Sequence, residues 1–107
     1  LIKDSSNFVR ALIEVGVTPQ KNVGFDNIAE RIYSFPEVSS CSLVSEHMIV
    51  VVVEGKDIQA VSSFIASKLS PMEGVRSTST HFLFKKFKED RKILKQKQKS
   101  QRLNISY

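Results

Sequence analysis

Few residues in this chain have chemistry to offer. Cys41 is the single cysteine, and His47 and His81 are the two histidines. One thiol excludes an internal disulfide and any multi-cysteine zinc site, and it points to a reducing, cytoplasmic setting. Neither histidine has a Cys, Asp or Glu at ligand spacing, so no metal and no cofactor is expected. The chain has no Gly-rich phosphate loop, no nucleophile elbow and no Cys–His pair with an orienting acid. The expectation is a protein that is not an enzyme. The most informative polar run is Arg76-Ser77-Thr78-Ser79-Thr80-His81. Thr78 and Thr80 carry hydroxyls that both donate and accept, and they read equally well as ordinary strand formers.

Charge is the second chemical feature. Sixteen basic and eleven acidic residues leave +5 overall. Between Lys85 and Arg102 nine basic side chains meet only Glu89 and Asp90, a net +7, so the rest of the chain carries −2. The basicity therefore sits in a tail. Two readings compete for it. Lysines and arginines could contact DNA phosphates in a salt-sensitive, sequence-independent way. A solvated surface helix is preferred, because no aromatic residues interleave with the lysines. Leu103, Ile105 and Tyr107 alternate, which predicts that the end docks as a short strand or apolar anchor on a neighbouring subunit. The expected division is a globular domain over 1–88 and a basic extension over 89–107.

The elements that must position these groups follow from hydrophobic spacing. Val9, Ala11, Ile13, Val15 and Val17 alternate with Arg10 and Glu14, predicting a half-buried strand over Phe8 to Val17. From about Val23 to Tyr33, Phe25, Ile28, Ala29, Ile32 and Phe35 fall at helical spacing, and Pro36 ends the run. Val38 to Val44 reads as a second strand, Ser45-Glu46-His47 as a tight connection, and Met48 to Val53 as a third strand. Asp57 is placed to cap a helix whose stripe is Ile58, Val61, Phe64, Ile65 and Leu69. A long alternating strand is predicted from Arg76 to Phe87. Tyr33-Ser34-Phe35-Pro36-Glu37-Val38 and Leu69-Ser70-Pro71-Met72-Glu73-Gly74-Val75 are similar junctions from helix to strand, so the chain looks weakly duplicated.

This order, β-α-β-β-α-β, predicts an α+β, ferredoxin-like sandwich: an antiparallel sheet with both helices on one face, since crossovers are right-handed. At 107 residues it is one domain with a modest core. No apolar run approaches the ~20 residues that span a bilayer, and Leu1-Ile2-Lys3-Asp4 does not open a signal peptide. The chain starts without Met, which implies a segment upstream. The third strand is apolar on both faces, while two helices cover only one. A second copy of the sheet is the simplest cover for the other, so a homodimer or larger assembly is expected through Val50, Val52, Phe82 and Phe84. Acylphosphatases share this arrangement and need an arginine in the loop after the first strand. Thr18-Pro19-Gln20-Lys21-Asn22-Val23-Gly24 offers only Lys21, a further point against catalysis.

Phe35-Pro36-Glu37-Val38, Cys41-Ser42-Leu43-Val44-Ser45, Lys56-Asp57 and Pro71-Met72-Glu73-Gly74-Val75-Arg76-Ser77-Thr78-Ser79-Thr80 carry a resemblance. Together they resemble the effector domain of the Lrp/AsnC (feast/famine) transcription regulators, over roughly Leu1 to Lys88. The pattern at Gly74, Val75, Thr78 and Thr80 is its most specific part. The resemblance implies a domain that dimerises through its sheets and assembles further, often to octamers. It also implies a small effector, commonly an amino acid, bound between dimers, and a DNA-binding helix-turn-helix upstream of this chain. Carried over by residue, the effector contacts are Ser45, Glu46, His47, Met48, Thr78 and Thr80. The turn departs from the family pattern: it lacks the Gly, His47 stands near the aromatic position, and Met48 stands near the acid. His47 and Glu46 also read as solvated turn residues. Two other functions share the element order. One is a small maturation chaperone that binds signal peptides along its sheet; the other is a stand-alone effector module with no DNA-binding half.

Overall fold

A computed structural model describes residues 8–18 and 24–94. Four strands, β1 (Val9–Val17), β2 (Val38–Ser45), β3 (Met48–Gly55) and β4 (Val75–Phe82), form one sheet in the order β2-β3-β1-β4. All neighbouring pairs are antiparallel. Helix α1 (Phe25–Tyr33) links β1 to β2, and α2 (Ile58–Phe64) links β3 to β4. This is the α+β, ferredoxin-like arrangement that the spacing predicts. Among the described residues no helix is long and apolar enough to cross a membrane.

The alternation in β1 and β3 divides the sheet into two faces. Ala11, Ile13, Val15 and Val17 join Ile49, Val51 and Val53 on one of them, all buried. Against them pack Ile28 and Ile32 of α1, four residues apart, and Val61, Phe64, Ile65 and Leu69 of the second helical segment. Each large side chain buried there contributes roughly 1.5–3 kcal/mol relative to exposure. Asp57 caps α2 as expected, its carboxylate accepting from the Ala60 amide at 2.7 Å. After Phe64 the helix widens into a π-helical turn over Ile65–Leu69, closed by the Ser70 amide donating to the Ile65 carbonyl at 2.7 Å.

The two similar junctions fold alike. The Phe35 amide donates to Ile32 at 3.2 Å and the Val38 amide to Phe35 at 3.1 Å. In the second half Met72 donates to Leu69 at 3.2 Å and Val75 to Met72 at 3.1 Å. The weak sequence duplication is thus a duplicated turn.

Three expectations need correction. The long strand from Arg76 to Phe87 stops at Phe82. Beyond the pair Ala11↔Phe82 and the Leu83 amide bonded to the Arg10 carbonyl, β1 has almost no backbone left for β4 to pair with. The basic segment is not a surface helix where it is described: β5 (Lys88–Glu89) and β6 (Lys92–Ile93) make a small hairpin. Asp90 and Arg91 form its two-residue turn at φ 52° and 68°, the left-handed pair that matches strand twist. Third, Phe82 lies opposite Ala11 and packs against the core, so it does not share a face with Val50 and Val52. Phe84 lies beyond the sheet and is 91% exposed. Lys95 to Arg102 and the alternating Leu103, Ile105 and Tyr107 lie outside the described residues.

Among the described residues no helix covers the second sheet face. Its central row sets Ser40 beside Val52, Val52 beside Leu12, and Leu12 beside His81. The next sets Ser42, Val50, Glu14 and Ser79 side by side. Arg10 pairs with Glu54 at 2.7 Å at one end, and His81 lies 3.8 Å from Glu14.

Candidate functional site

The turn after β2 is tied to the rest of the sheet through its backbone. The His47 carbonyl accepts from the Val17 amide at 2.9 Å, which joins the turn to the end of β1. The His47 ring meets Phe25 of α1 edge-on, with centroids 6.4 Å apart. Its Nε2 is 3.9 Å from Glu46 Oε1, and both side chains are open to solvent, Glu46 at 91% and His47 at 63%. Ser45 is exposed and Met48 half-buried. Met48 begins β3 opposite Gly16, on the helix-free face.

Thr78 and Thr80 come to the same sheet but to its other side. Thr78 pairs with Val15 and Thr80 with Ile13, both of which point into the core. Both threonines are accordingly half-buried towards the helices. The Thr78 hydroxyl lies 3.4 Å from that of Ser70, at the end of the second helical segment. The register therefore brings the turn and the start of β4 to one end of the sheet, with β1 between them. It does not bring the threonine hydroxyls and Met48 onto one surface.

Two residues of the polar run that were not expected as effector contacts, Arg76 and Ser77, occupy that surface. Ser77 pairs with Gly16, and Val75 pairs with Val17, so Arg76 is an extra residue in a β-bulge. A bulge bends the strand and re-aims its side chains. Here it carries both Arg76 and Ser77 over Gly16. A Cβ at position 16 would stand 2.5 Å from Ser77 Oγ and 3.4 Å from an Arg76 guanidinium nitrogen. The one glycine in a strand otherwise rich in β-branched residues was the available signal, because such a glycine marks close approach. Beside it, Thr18, Gly74, Val75 and Arg76 line a concavity of about 260 Å³. Thr18 donates its amide to the Gly74 carbonyl at 2.8 Å, closing the floor of this corner.

The thiol of Cys41 is not poised for chemistry. It sits in β2 opposite Val51, and burial pushes its pKa up, which disfavours the reactive thiolate.

Residues 10–93 match the Lrp/AsnC ligand binding domain. The chain belongs to the Lrp/AsnC family. Its members are transcription regulators, and this chain is similar to the HTH-type transcriptional regulator YugG of Bacillus subtilis, at 42% identity over 104 residues. That match takes in 96% of this chain but 63% of YugG, so the chain spans less than two thirds of that relative. Among solved structures, the Neisseria meningitidis transcriptional regulator NMB0573 in complex with L-Met is similar over 88% of this Lrp/AsnC chain and 62% of its own. The two share 26% identity and superpose with a TM-score of 0.71. FFRP-DM1, 26% identical over 71% of this chain with a TM-score of 0.61, is matched along 99% of its own length.

Proposed function

We propose that this Lrp/AsnC domain senses a small molecule and drives self-assembly for a DNA-binding transcription regulator of the cytoplasm. The carrying observation is the match of residues 10–93 to the family's ligand binding domain. The effector class is a free amino acid, a reading supported by NMB0573, whose structure holds L-Met. Ser45, Glu46, His47 and Met48 form one wall of the effector site, and β4 with Thr78 and Thr80 supports the other across β1. The helix-free face, with Leu12, Val50 and Val52 at its centre, is where two copies meet. Dimers then associate further, to an octamer in the fullest form, and DNA is held by a helix-turn-helix segment outside this sequence. An effector seated between dimers shifts the balance among assemblies and so the spacing of the attached DNA-binding segments.

A thermal-shift panel over the amino acids, read together with light scattering, tests this. An amino acid that binds only the folded state raises the apparent melting temperature. Its addition should also change the size of the assembly. A chain that stays monomeric, with no amino acid raising its melting temperature, overturns the proposal.

A second reading, a stand-alone effector module, is supported by FFRP-DM1, which is matched along 99% of its own length. The coding sequence upstream of Leu1 separates the two: a helix-turn-helix there favours the regulator, and a start codon favours the module.

A further inference from the structure

We infer that Arg76 and Ser77, seated over Gly16, form the anion subsite that takes the carboxylate of a small apolar carboxylic acid. The inference rests on the effector-binding reading above and names the atoms that would hold one end of the effector.

Three features of the chain converge on this corner. The β-bulge at Arg76 turns its side chain and that of Ser77 towards the same residue of β1. That residue is Gly16, the one type whose missing Cβ leaves room, since a methyl there would meet Ser77 Oγ at 2.5 Å. Arg76, finally, has no carboxylate partner among the described residues, whereas Arg10, on the same sheet, is paired with Glu54 at 2.7 Å. A planar guanidinium beside a hydroxyl donor is a fitted receptor for a carboxylate, binding it through parallel charge-assisted hydrogen bonds.

The surroundings decide the rest of the ligand. The last regular row of the helix-free face is Met48, Gly16 and Ser77, none of them charged. Thr18, Gly74 and Val75, which line the concavity with Arg76, are also uncharged. The nearest acid on β1, Glu14, lies one row further in and stands 3.8 Å from His81. The ligand's anion is therefore met by a cation with no competing carboxylate in that row or in the lining of the concavity, while Met48 offers a soft thioether surface to an apolar tail. The corner asks for a carboxylate on the ligand, and the acid of the wider site is Glu46, on the turn after β2 whose His47 carbonyl is bonded to Val17. Amino acids with apolar side chains and the corresponding 2-oxo acids share that chemistry.

Calorimetric titration with L-methionine, L-leucine, their 2-oxo acids and their amides tests the assignment on the wild-type chain and on Arg76→Gln, Arg76→Lys, Ser77→Ala and Gly16→Ala. Wild type should bind at least one of the carboxylates and neither amide. Arg76→Gln should weaken that binding by about 10- to 100-fold, the usual effect of deleting a hydrogen bond to a charged group. Arg76→Lys should keep part of it. Gly16→Ala, which removes no donor but fills the cradle, should weaken binding while the unliganded protein keeps its circular dichroism spectrum. Carboxylate binding that survives Arg76→Gln, or an amide bound as tightly as its acid, overturns the subsite and leaves the amino-acid reading standing. No binding of any carboxylate overturns the subsite as well; the wider panel above then decides the effector reading separately. Binding of the 2-oxo acids alone supports the subsite and moves the effector class away from amino acids.

Discussion

Gly74 and Glu89 each hold a local conformation by one identifiable means. Gly74 adopts φ +94°, a region that side chains rarely enter, and a Cβ there would stand 2.7 Å from Ile28 Cδ1 in the core. Both effects oppose an alanine. Gly74→Ala should therefore destabilise the domain by about 1–3 kcal/mol, read as a lower urea midpoint at unchanged slope. At Glu89 the agent is the Lys86 ammonium, which donates a hydrogen bond to the carboxylate and holds its pKa below the ordinary 4.5, with Arg10 adding a weaker pull. A carboxyl with a lowered folded pKa stabilises the folded form above its unfolded value, and the effect disappears as pH falls through the folded value. The hairpin should hence be unaffected by pH near neutrality and loosen below about 4.5, when measured as the exchange protection of the Leu94 amide, which donates to Phe87 at 2.9 Å. Glu89 is exposed to solvent, so added salt should weaken the same tie.

Among the elements, the β5–β6 hairpin is the one that the sequence pattern misread. Alternation continues past Phe82, and Lys85 to Lys92 is rich in lysine, so the segment reads first as strand and then as helix. What decides its shape is the end of pairing on β1 and a turn that places two non-glycine residues in left-handed backbone. Arg91, at φ 68°, bears a local cost of roughly 1 kcal/mol that glycine would not. Arg91→Gly should then raise the protection of the Leu94 amide by severalfold and leave the melting temperature of the main sheet almost unchanged. Equal protection in the two proteins would mean that the hairpin's opening is not governed by its turn. The strands and helices of the main sheet were legible because their periods were unambiguous. Ile28 and Ile32 fall on one face of α1, and Ala11, Ile13, Val15 and Val17 on one face of β1, as the spacing requires.

For the whole molecule, the open side of the sheet is the main consequence of having two helices and four strands. Leu12 is 37% exposed and its neighbours Val50 and Val52 are half-buried, although all lie in the centre of a sheet. This patch is the face on which the proposed dimer packs. Val52→Asp would place a carboxylate beside Leu12 and Ser40, away from any basic partner in its row except His81. If two sheets pack there, burying that charge costs several kcal/mol. The variant should remain folded by circular dichroism and elute as a monomer in light-scattering chromatography. A Val52→Asp protein that assembles like wild type moves the interface elsewhere.

Sequence alone determined the element order, the duplicated turns, the Asp57 cap, the buried face of β1, and the motif at Gly74, Val75, Thr78 and Thr80 that carries the family resemblance. It did so because each of these depends on residues close in the chain. Alternation on β4 also showed that Thr78 and Thr80 share a face, but a period of two does not say which face that is. Pairing with β1 decides it: Thr78 against Val15 and Thr80 against Ile13 turn those hydroxyls and Phe82 towards the helices. The extra residue at Arg76 then shifts the register at the strand's start and swings Arg76 and Ser77 over Gly16. Spacing pointed to the start of β4. Only the register, set by contacts far apart in sequence, selected which of its side chains reach the open surface.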